Sequence, residues 1–340
     1  MFDFNDLEFA HGKPQATGTM KTSAEDFKVD EELGFELSGQ GEHLYLRIEK
    51  KGLNTEEVVK ALARTLGKSE KNISYAGLKD RQALTTQWLC VHCPGEEIIS
   101  PDLLAGEGWR VIESKRHLKK LKIGALEANR FNLILRDIKE CEEVENRLQQ
   151  IRGVGVPNYF GAQRFGYEGQ NLVKAEAFFS GHIKVKNRFL RGIYYSAARA
   201  FLFNQILSAR VKAATWNTAL PGDVMQLTGK NSIFSIEAPD ELIQTRVEDF
   251  DLSPAAPLWG KGQERVGGDA LTQQEQVLDR YKFWCEALES HGLERAYRPL
   301  VLPIEDLMWN WQDNQLNLSF RLTSGSYATS VVRELIQLNT

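Results

Sequence analysis

The sequence predicts an α+β protein of two domains, and three observations carry that prediction. The first is size. A chain of 340 residues with 42% hydrophobic and 26% charged content has the composition of an ordinary globular protein and is long enough for two cores. The second is period-two alternation of apolar and polar residues, found in segments up to Arg136 and again from Leu307 to Arg321. The third is a change to helical spacing from about Asn171, so that a helix-rich segment stands between two parts of a strand-rich one.

The N-terminal M-F-D-F-N-D-L-E carries acids where a secretory signal carries bases, and no apolar run approaches the length of a membrane span. A cytoplasmic protein is therefore expected, with no membrane partner. Lys21 to Leu33 reads as a loop entering a strand at Phe27 to Val29. Gly34 to Gly41 is glycine-spaced but lacks the Lys-Ser/Thr of a phosphate loop, so it reads as a turn. From His43 to Glu49, Leu44, Leu46 and Ile48 share one face of a half-buried strand. Asn54 opens a helix, Glu57 completes a capping box, and Val58, Val59, Leu62 and Leu66 form its apolar stripe up to Gly67.

Asn72 to Trp88, N-I-S-Y-A-G-L-K-D-R-Q-A-L-T-T-Q-W, reads as strand, turn, strand, with Asp80 at the turn between Lys79 and Arg81. A carboxylate held on a loop between two sheet strands suits a nucleophile or general base. Lys and Asp are also ordinary turn formers, and local sequence leaves both readings open.

Pro94 to Trp109 is acidic and loop-like. Arg110 to Arg136 is the electrostatic centre: Lys115, Arg116, Lys119, Lys120, Lys122, Arg130 and Arg136 stand against only Glu113 and Glu127. Such a cluster suits neutralising several phosphates, although a solvated basic face has the same composition. The formal net charge of -4 does not exclude the first reading, because a backbone-tracking groove needs only a local concentration of cations. Within this segment Asn129, Phe131, Leu133 and Leu135 alternate onto one sheet face. An amide and a ring leading an apolar face are suited to a planar base, the ring for stacking and the amide for its hydrogen-bonding edge.

Four cysteines, Cys90, Cys93, Cys141 and Cys285, are too few for a disulfide scaffold. Cys90 and Cys93 form a C-x-x-C, but on a strand their odd offset sends the two thiols to opposite faces, and no second pair completes a metal site. No metal is expected.

Cys141 to Arg152 reads as a helix stopped at Gly153. G-V-P-N-Y-F-G-A-Q-R-F-G-Y-E-G is irregular and reads as a crossing between domains, with Tyr159, Phe160 and Phe165 as a hinge core. Phe189 to Val211 is a long helix, Leu220 to Phe234 short strands, and Asp240 to Asp251 an acidic solvated helix. Gln273 to Leu293 is helical, Leu307 to Arg321 a hairpin turning at Asp313 and Asn314, and Thr329 to Leu338 a final helix behind Tyr327.

Four blocks taken together resemble the TruD family of tRNA pseudouridine synthases: G-L-K-D-R-Q-A-L-T-T-Q from Gly77, N-R-F from Asn129, N-Y-F-G-A-Q-R-F-G from Asn158, and G-S-Y-A-T-S-V-V-R-E-L from Gly325. Their order and spacing also match, so the resemblance spans nearly the whole chain. It implies a pseudouridine-synthase-like catalytic domain, with a mostly antiparallel sheet flanked by helices, into which a family-specific α/β domain is inserted. The implied boundaries are 1–154 and 304–340 for the catalytic part and 155–303 for the insertion.

The resemblance also implies the activity, isomerisation of uridine 13 of tRNA to pseudouridine with Asp80 as nucleophile. It implies Lys21 and Phe27 at the active site, Asn129 and Phe131 on the base, and Tyr327 where the family usually has Phe. Without it, Phe27 reads as a core aromatic. Lys115, Arg116, Lys119, Lys120 and Lys122 would then hold the RNA backbone. A redox-neutral isomerisation needs no cofactor, and none is expected; the expected state is a monomer with tRNA as partner. Two readings from other classes stand beside this one. They are a non-catalytic RNA-binding or RNA-folding protein using the same basic surface, and a thiol or zinc protein built on Cys90 and Cys93.

Overall fold

The structure is a computed structural model that describes residues 4–95 and 100–339. In chain order the first elements are β1 (Thr17–Met20), β2 (Phe27–Leu33), β3 (His43–Lys51), α1 (Thr55–Thr65), β4 (Ile73–Tyr75) and β5 (Leu84–His92). There follow β6 (Ala105–Gly106), β7 (Trp109–His117), β8 (Leu126–Arg136), α2 (Cys141–Val154), β9 (Val156–Pro157), α3 (Gln170–Phe179) and α4 (Arg188–Lys212). Next come β10 (Val224–Leu227), β11 (Ile233–Ser235), α5 (Glu241–Glu248), β12 (Leu252–Leu258), α6 (Gly268–Leu278) and α7 (Lys282–Ser290). The chain closes with β13 (Ala296–Pro299), β14 (Val301–Leu302), β15 (Glu305–Gln312), β16 (Gln315–Thr323), α8 (Ala328–Leu335) and β17 (Gln337–Leu338).

Two compact units result. One holds Ala16–Cys141, Ile304–Gly325 and Gln337–Thr340; the other holds Met1–Gln15, Glu142–Pro303 and Ser326–Ile336. This division differs from the boundaries 1–154, 155–303 and 304–340 at both chain ends and at residues 142–154, and for the chain ends packing gives the reason. Leu7 lies in the same core as Tyr159 and Phe203. Ser330 donates to the Tyr159 carbonyl at 3.0 Å, and the buried Arg333 donates to the Leu7 and Glu8 carbonyls.

In the first unit eleven strands among the described residues form one sheet, with β15-β16-β8-β2-β5-β3-β7-β6 as its main path. The pairings are antiparallel except β2 with β5 and β1 with β17. Leu44, Leu46 and Ile48 of β3 meet Val58, Val59 and Leu62 of α1 and Leu89 and Val91 of β5. Full burial of each such side chain contributes about 1.5–3 kcal/mol. The expectation of a half-buried strand is corrected here, because Tyr45 on the opposite face of β3 is buried with Trp88, Cys90 and Leu121. Helix α1 begins with the capping box, the Asn54 amide donating to Glu57 Oε2 at 2.6 Å. It is followed by Gly67 at φ +61, a left-handed position that glycine adopts without strain. The acidic loop after β5 is described only in part, and Glu96 to Ile99 lie outside the described residues, as do Met1 to Asp3.

In the second unit α4 is the central helix. It is capped by Asn187, whose side chain accepts from the Phe189 and Leu190 amides, and it buries Phe203 and Leu207 against Tyr159, Phe165 and Leu288. A four-stranded antiparallel sheet, β11-β10-β12-β13, completes it. Tyr159, Phe160 and Phe165 are core residues. Two helical expectations change. The segment from Gln273 divides at a 3-10 turn, Asp279–Tyr281, into α6 and α7. The last helix ends at Leu335, because Gln337 and Leu338 pair with β1 instead. No helix among the described residues is long and apolar enough to cross a membrane.

Candidate active site

Asp80 lies in the irregular segment between β4 and β5, and the residues around it are tied down from below. Lys50, at the end of β3, donates from Nζ to the Asp80 carbonyl at 2.8 Å and to the Leu53 carbonyl at 2.8 Å. The Lys79 amide donates to Thr55 Oγ1 at 3.0 Å, and that hydroxyl donates to Gln87 Oε1 at 2.9 Å. The Lys79 ammonium stands 2.6 Å from Glu31 Oε1, while Glu31 Oε2 accepts from the Trp88 amide at 2.8 Å. Beyond Asp80, Arg81 donates to the Gly52 carbonyl at 3.0 Å. The backbone at Lys79 and Asp80 is thus held by the start of α1 and by β3, and the Lys79 and Arg81 side chains add ties to β2 and Gly52.

Two buried charges in this support are displaced by their surroundings. Burial pushes Glu31 above the usual carboxylate range, against the opposing pull of the Lys79 ammonium. It also pushes Lys50 down to about 8.

The Asp80 side chain itself is 43% exposed, and its Oδ2 stands 2.5 Å from Lys21 Nζ. Lys21 has φ +62, a conformation that L side chains rarely adopt and that costs about 1–2 kcal/mol. The same ammonium lies 4.1 Å from the centre of the Phe27 ring, a cation–π contact. The turn after Lys21 is closed by Asp26, which accepts from the Ser23 amide at 3.0 Å and from Arg136 at 2.8 and 3.0 Å.

Register explains why the aromatic and amide candidates meet. Phe27 lies opposite Leu133, Val29 opposite Phe131 and Glu31 opposite Asn129, so all share one face of the sheet. Phe131 is stacked on Phe320 at 5.4 Å and meets Phe27 edge-on at 6.1 Å. Both candidate rings are buried, and Phe320 beside them is fully buried, so the expected stacking of a base on Phe27 or Phe131 would need these rings to become more exposed than they are here. Asn129 is 9% exposed, and its Oδ1 is buried with no hydrogen-bond partner among the described residues. An acceptor left in this state costs about 1–3 kcal/mol unless a ligand supplies a donor.

The structure separates the expected basic cluster into two kinds of residue. Lys115, Lys119, Lys120 and Lys122 are exposed. Arg116 is buried and donates to the Cys93 carbonyl at 2.7 Å and the Gly41 carbonyl at 3.4 Å, which places it in the fold rather than on the surface. Arg130 is paired with Glu32 and Asp306, and Arg136 with Asp26. Tyr327 belongs to the other unit, where its hydroxyl accepts from Arg164 at 2.9 Å and its ring edge meets Phe160. Cys90 and Cys93 enter cores on opposite sides of the sheet, and no group of three or more metal-ligating side chains occurs among the described residues.

Lys50 and Glu31 were not singled out from sequence. The available signal was phase: Lys50 continues the apolar series Leu44, Leu46, Ile48, and Glu31 continues Phe27, Val29. A charge at such a position is buried and therefore paired.

Comparison with known proteins places the whole chain in one family. The family model for tRNA pseudouridine synthase D (TruD) matches residues 4–173 and 169–335. A tRNA pseudouridine synthase D of Legionella pneumophila (strain Corby) is 49% identical over 96% of this chain and 97% of its own. One from Proteus mirabilis is 44% identical over 99% and 97%, and one from Hydrogenovibrio crunogenus 43% over 97% and 96%. The crystal structure of a TruD-named protein from Methanosarcina mazei superposes with a TM-score of 0.72 over 97% of this chain and 96% of that one. At 20% identity it shows a shared fold.

Proposed function

This chain belongs to the TruD family of tRNA pseudouridine synthases, and from that premise we propose that it converts uridine 13 of tRNA to pseudouridine with Asp80 as the nucleophile. In this reaction the bond from the ribose C1′ to N1 of uracil breaks, and a bond from C1′ to C5 forms. The C5 proton leaves and N1 gains one. The sum is an isomerisation that needs no electron or group donor.

The observation that carries the assignment is the Asp80 carboxylate, exposed at the tip of a pinned loop and 2.5 Å from Lys21. A fixed carboxylate with a solvent-facing edge can reach a sugar carbon, whereas nearby Glu31 is buried under Lys79. The uridine must leave its stack to arrive there, at a cost of about a few kcal/mol. Asn129 Oδ1 accepts the uracil N3–H, which satisfies both atoms, and the Phe27 and Phe131 rings on the same sheet face supply the apolar surroundings of the base. Lys115, Lys119, Lys120 and Lys122 hold RNA phosphates without reading sequence.

Incubating purified protein with unmodified tRNA and locating pseudouridine by mass spectrometry tests the reading. Product at position 13 with wild-type protein and none with Asp80→Asn is expected. Product elsewhere overturns the site preference, and undiminished product with Asp80→Asn overturns the nucleophile.

A further inference from the structure

We infer that Lys50 is a positioning residue for the reaction: its ammonium grips the carbonyl of the nucleophile itself and so fixes the direction in which the Asp80 carboxylate leaves the loop. The inference rests on Asp80 being the nucleophile.

Lys50 is 1% exposed, and its stem lies in the apolar phase of β3. An ammonium taken out of water at such a place is costly unless every N–H finds an acceptor. Here three backbone carbonyls surround it, those of Leu53 and Asp80 at 2.8 Å and that of Lys79 at 3.5 Å. Two of the three belong to consecutive residues of the catalytic loop, and the third to the turn before α1. One cation thus ties the loop to the helix entrance and leaves the peptide plane at Asp80 little freedom to rotate.

The charges around it fit the same purpose. Asp80 has a cation on each side, Lys50 at its carbonyl and Lys21 at its carboxylate. The groups that face Lys50 electrostatically are Asp80, Lys79, Glu57 and Glu31. The Lys79 ammonium is taken by Glu31 and so does not compete for the Asp80 carbonyl, while the Glu57 carboxylate accepts from the Asn54 amide. Burial lowers Lys50 to about 8, which puts loss of its charge within reach of an ordinary assay.

The test is single-turnover conversion of tRNA by wild type and Lys50→Met from about pH 6 to about pH 9, with tRNA binding measured alongside. At neutral pH the variant is expected to bind tRNA as tightly as wild type and to convert it roughly 10- to 100-fold more slowly. The ratio of the two rates is expected to be largest below pH 8 and to shrink as the pH rises through about 8, because only wild type has a charge to lose. Titration of the substrate cancels in that ratio, and a loss of packing alone would leave it constant. A folded variant with the wild-type rate, or a ratio that does not change with pH, overturns the inference. Should Lys50→Met not fold, Lys50→Arg replaces it. Its guanidinium stays charged, so part of the rate without the decline near pH 8 is expected, and an unchanged decline overturns the inference. Asp80→Asn in the same assay separates the two ideas: activity there removes the nucleophile assignment, whereas a dead Asp80→Asn beside a fully active Lys50→Met removes only the role of Lys50.

Discussion

Lys21 reaches Asp80 from a left-handed turn, its Nζ 2.5 Å from Oδ2 and 4.1 Å from the centre of the Phe27 ring. One ammonium therefore touches both the carboxylate and the Phe27 ring. Because the pair is partly exposed, its value to stability is small, about 0–1 kcal/mol, and its meaning must be sought in activity.

Lys21→Met is accordingly expected to leave the midpoint of thermal unfolding nearly unchanged while lowering single-turnover conversion of uridine about 100-fold. Asp80→Asn is expected to lower it at least about 1,000-fold. Quantifying pseudouridine in tRNA by mass spectrometry checks both. A Lys21→Met protein of wild-type rate would show that the ion pair is incidental.

Asn129 presents the opposite case, a buried group whose acceptor is unused by the described residues. Asn129→Ala removes an unsatisfied atom, so unfolding in urea is expected to shift by no more than about 1 kcal/mol. Conversion should still fall about 10- to 100-fold, because the uracil edge loses its acceptor. A large loss of stability with unchanged turnover would make Asn129 a structural residue instead.

Much of this arrangement could be read in the chain, and the unread part has a common cause. Alternation gave β3, β5, β8 and the hairpin of β15 and β16, because in a sheet the period of the sequence is the period of the burial. Asn54 and Glu57 announced α1 through local hydrogen bonds. The two recognisable strands place Asp80 at a turn, whereas its catalytic role is implied only by the family resemblance. What escaped was pairing between charges distant in sequence. Arg130 and Arg136 counted as free cations within their own segment, yet Glu32, Asp306 and Asp26 meet them from other strands. Arg116 was counted likewise, although carbonyls of Cys93 and Gly41 receive it. The same limit hid Glu31 beneath Lys79 and the packing of residues 4–15 with 326–336.

That sorting of the basic residues is itself testable. Replacing Lys119, Lys120 and Lys122 by Ala together is expected to weaken tRNA binding and to lower the slope of log affinity against log salt by about 0.7–0.9 for each phosphate no longer neutralised. Stability should be unaffected, since all three are exposed. Arg116→Ala is expected to do the reverse, costing about 1–3 kcal/mol in urea unfolding through the carbonyls it leaves unpaired and leaving the salt slope intact. An altered salt slope in Arg116→Ala would return that residue to the RNA surface.

Asp26 makes the fold of the Lys21 turn sensitive to acid. Its carboxylate is 1% exposed and is held below the usual carboxylate range, chiefly by hydrogen bonds from Arg136, with burial opposing and the Ser23 amide assisting. A depressed carboxylate binds fewer protons in the folded than in the unfolded state. Its contribution is therefore fully present above the unfolded value, near pH 4, and is lost as the pH falls through the lower folded value. Asp26→Asn, which cannot titrate, should consequently be less stable than wild type at neutral pH, with the difference narrowing below about pH 4. Urea unfolding of both proteins across that range measures it. The turn that Asp26 closes carries Lys21, so the variant should also convert uridine more slowly at neutral pH, where it remains folded. A gap that stays constant down to the acid limit would mean that Arg136 holds Asp26 no more tightly than water does in the unfolded chain.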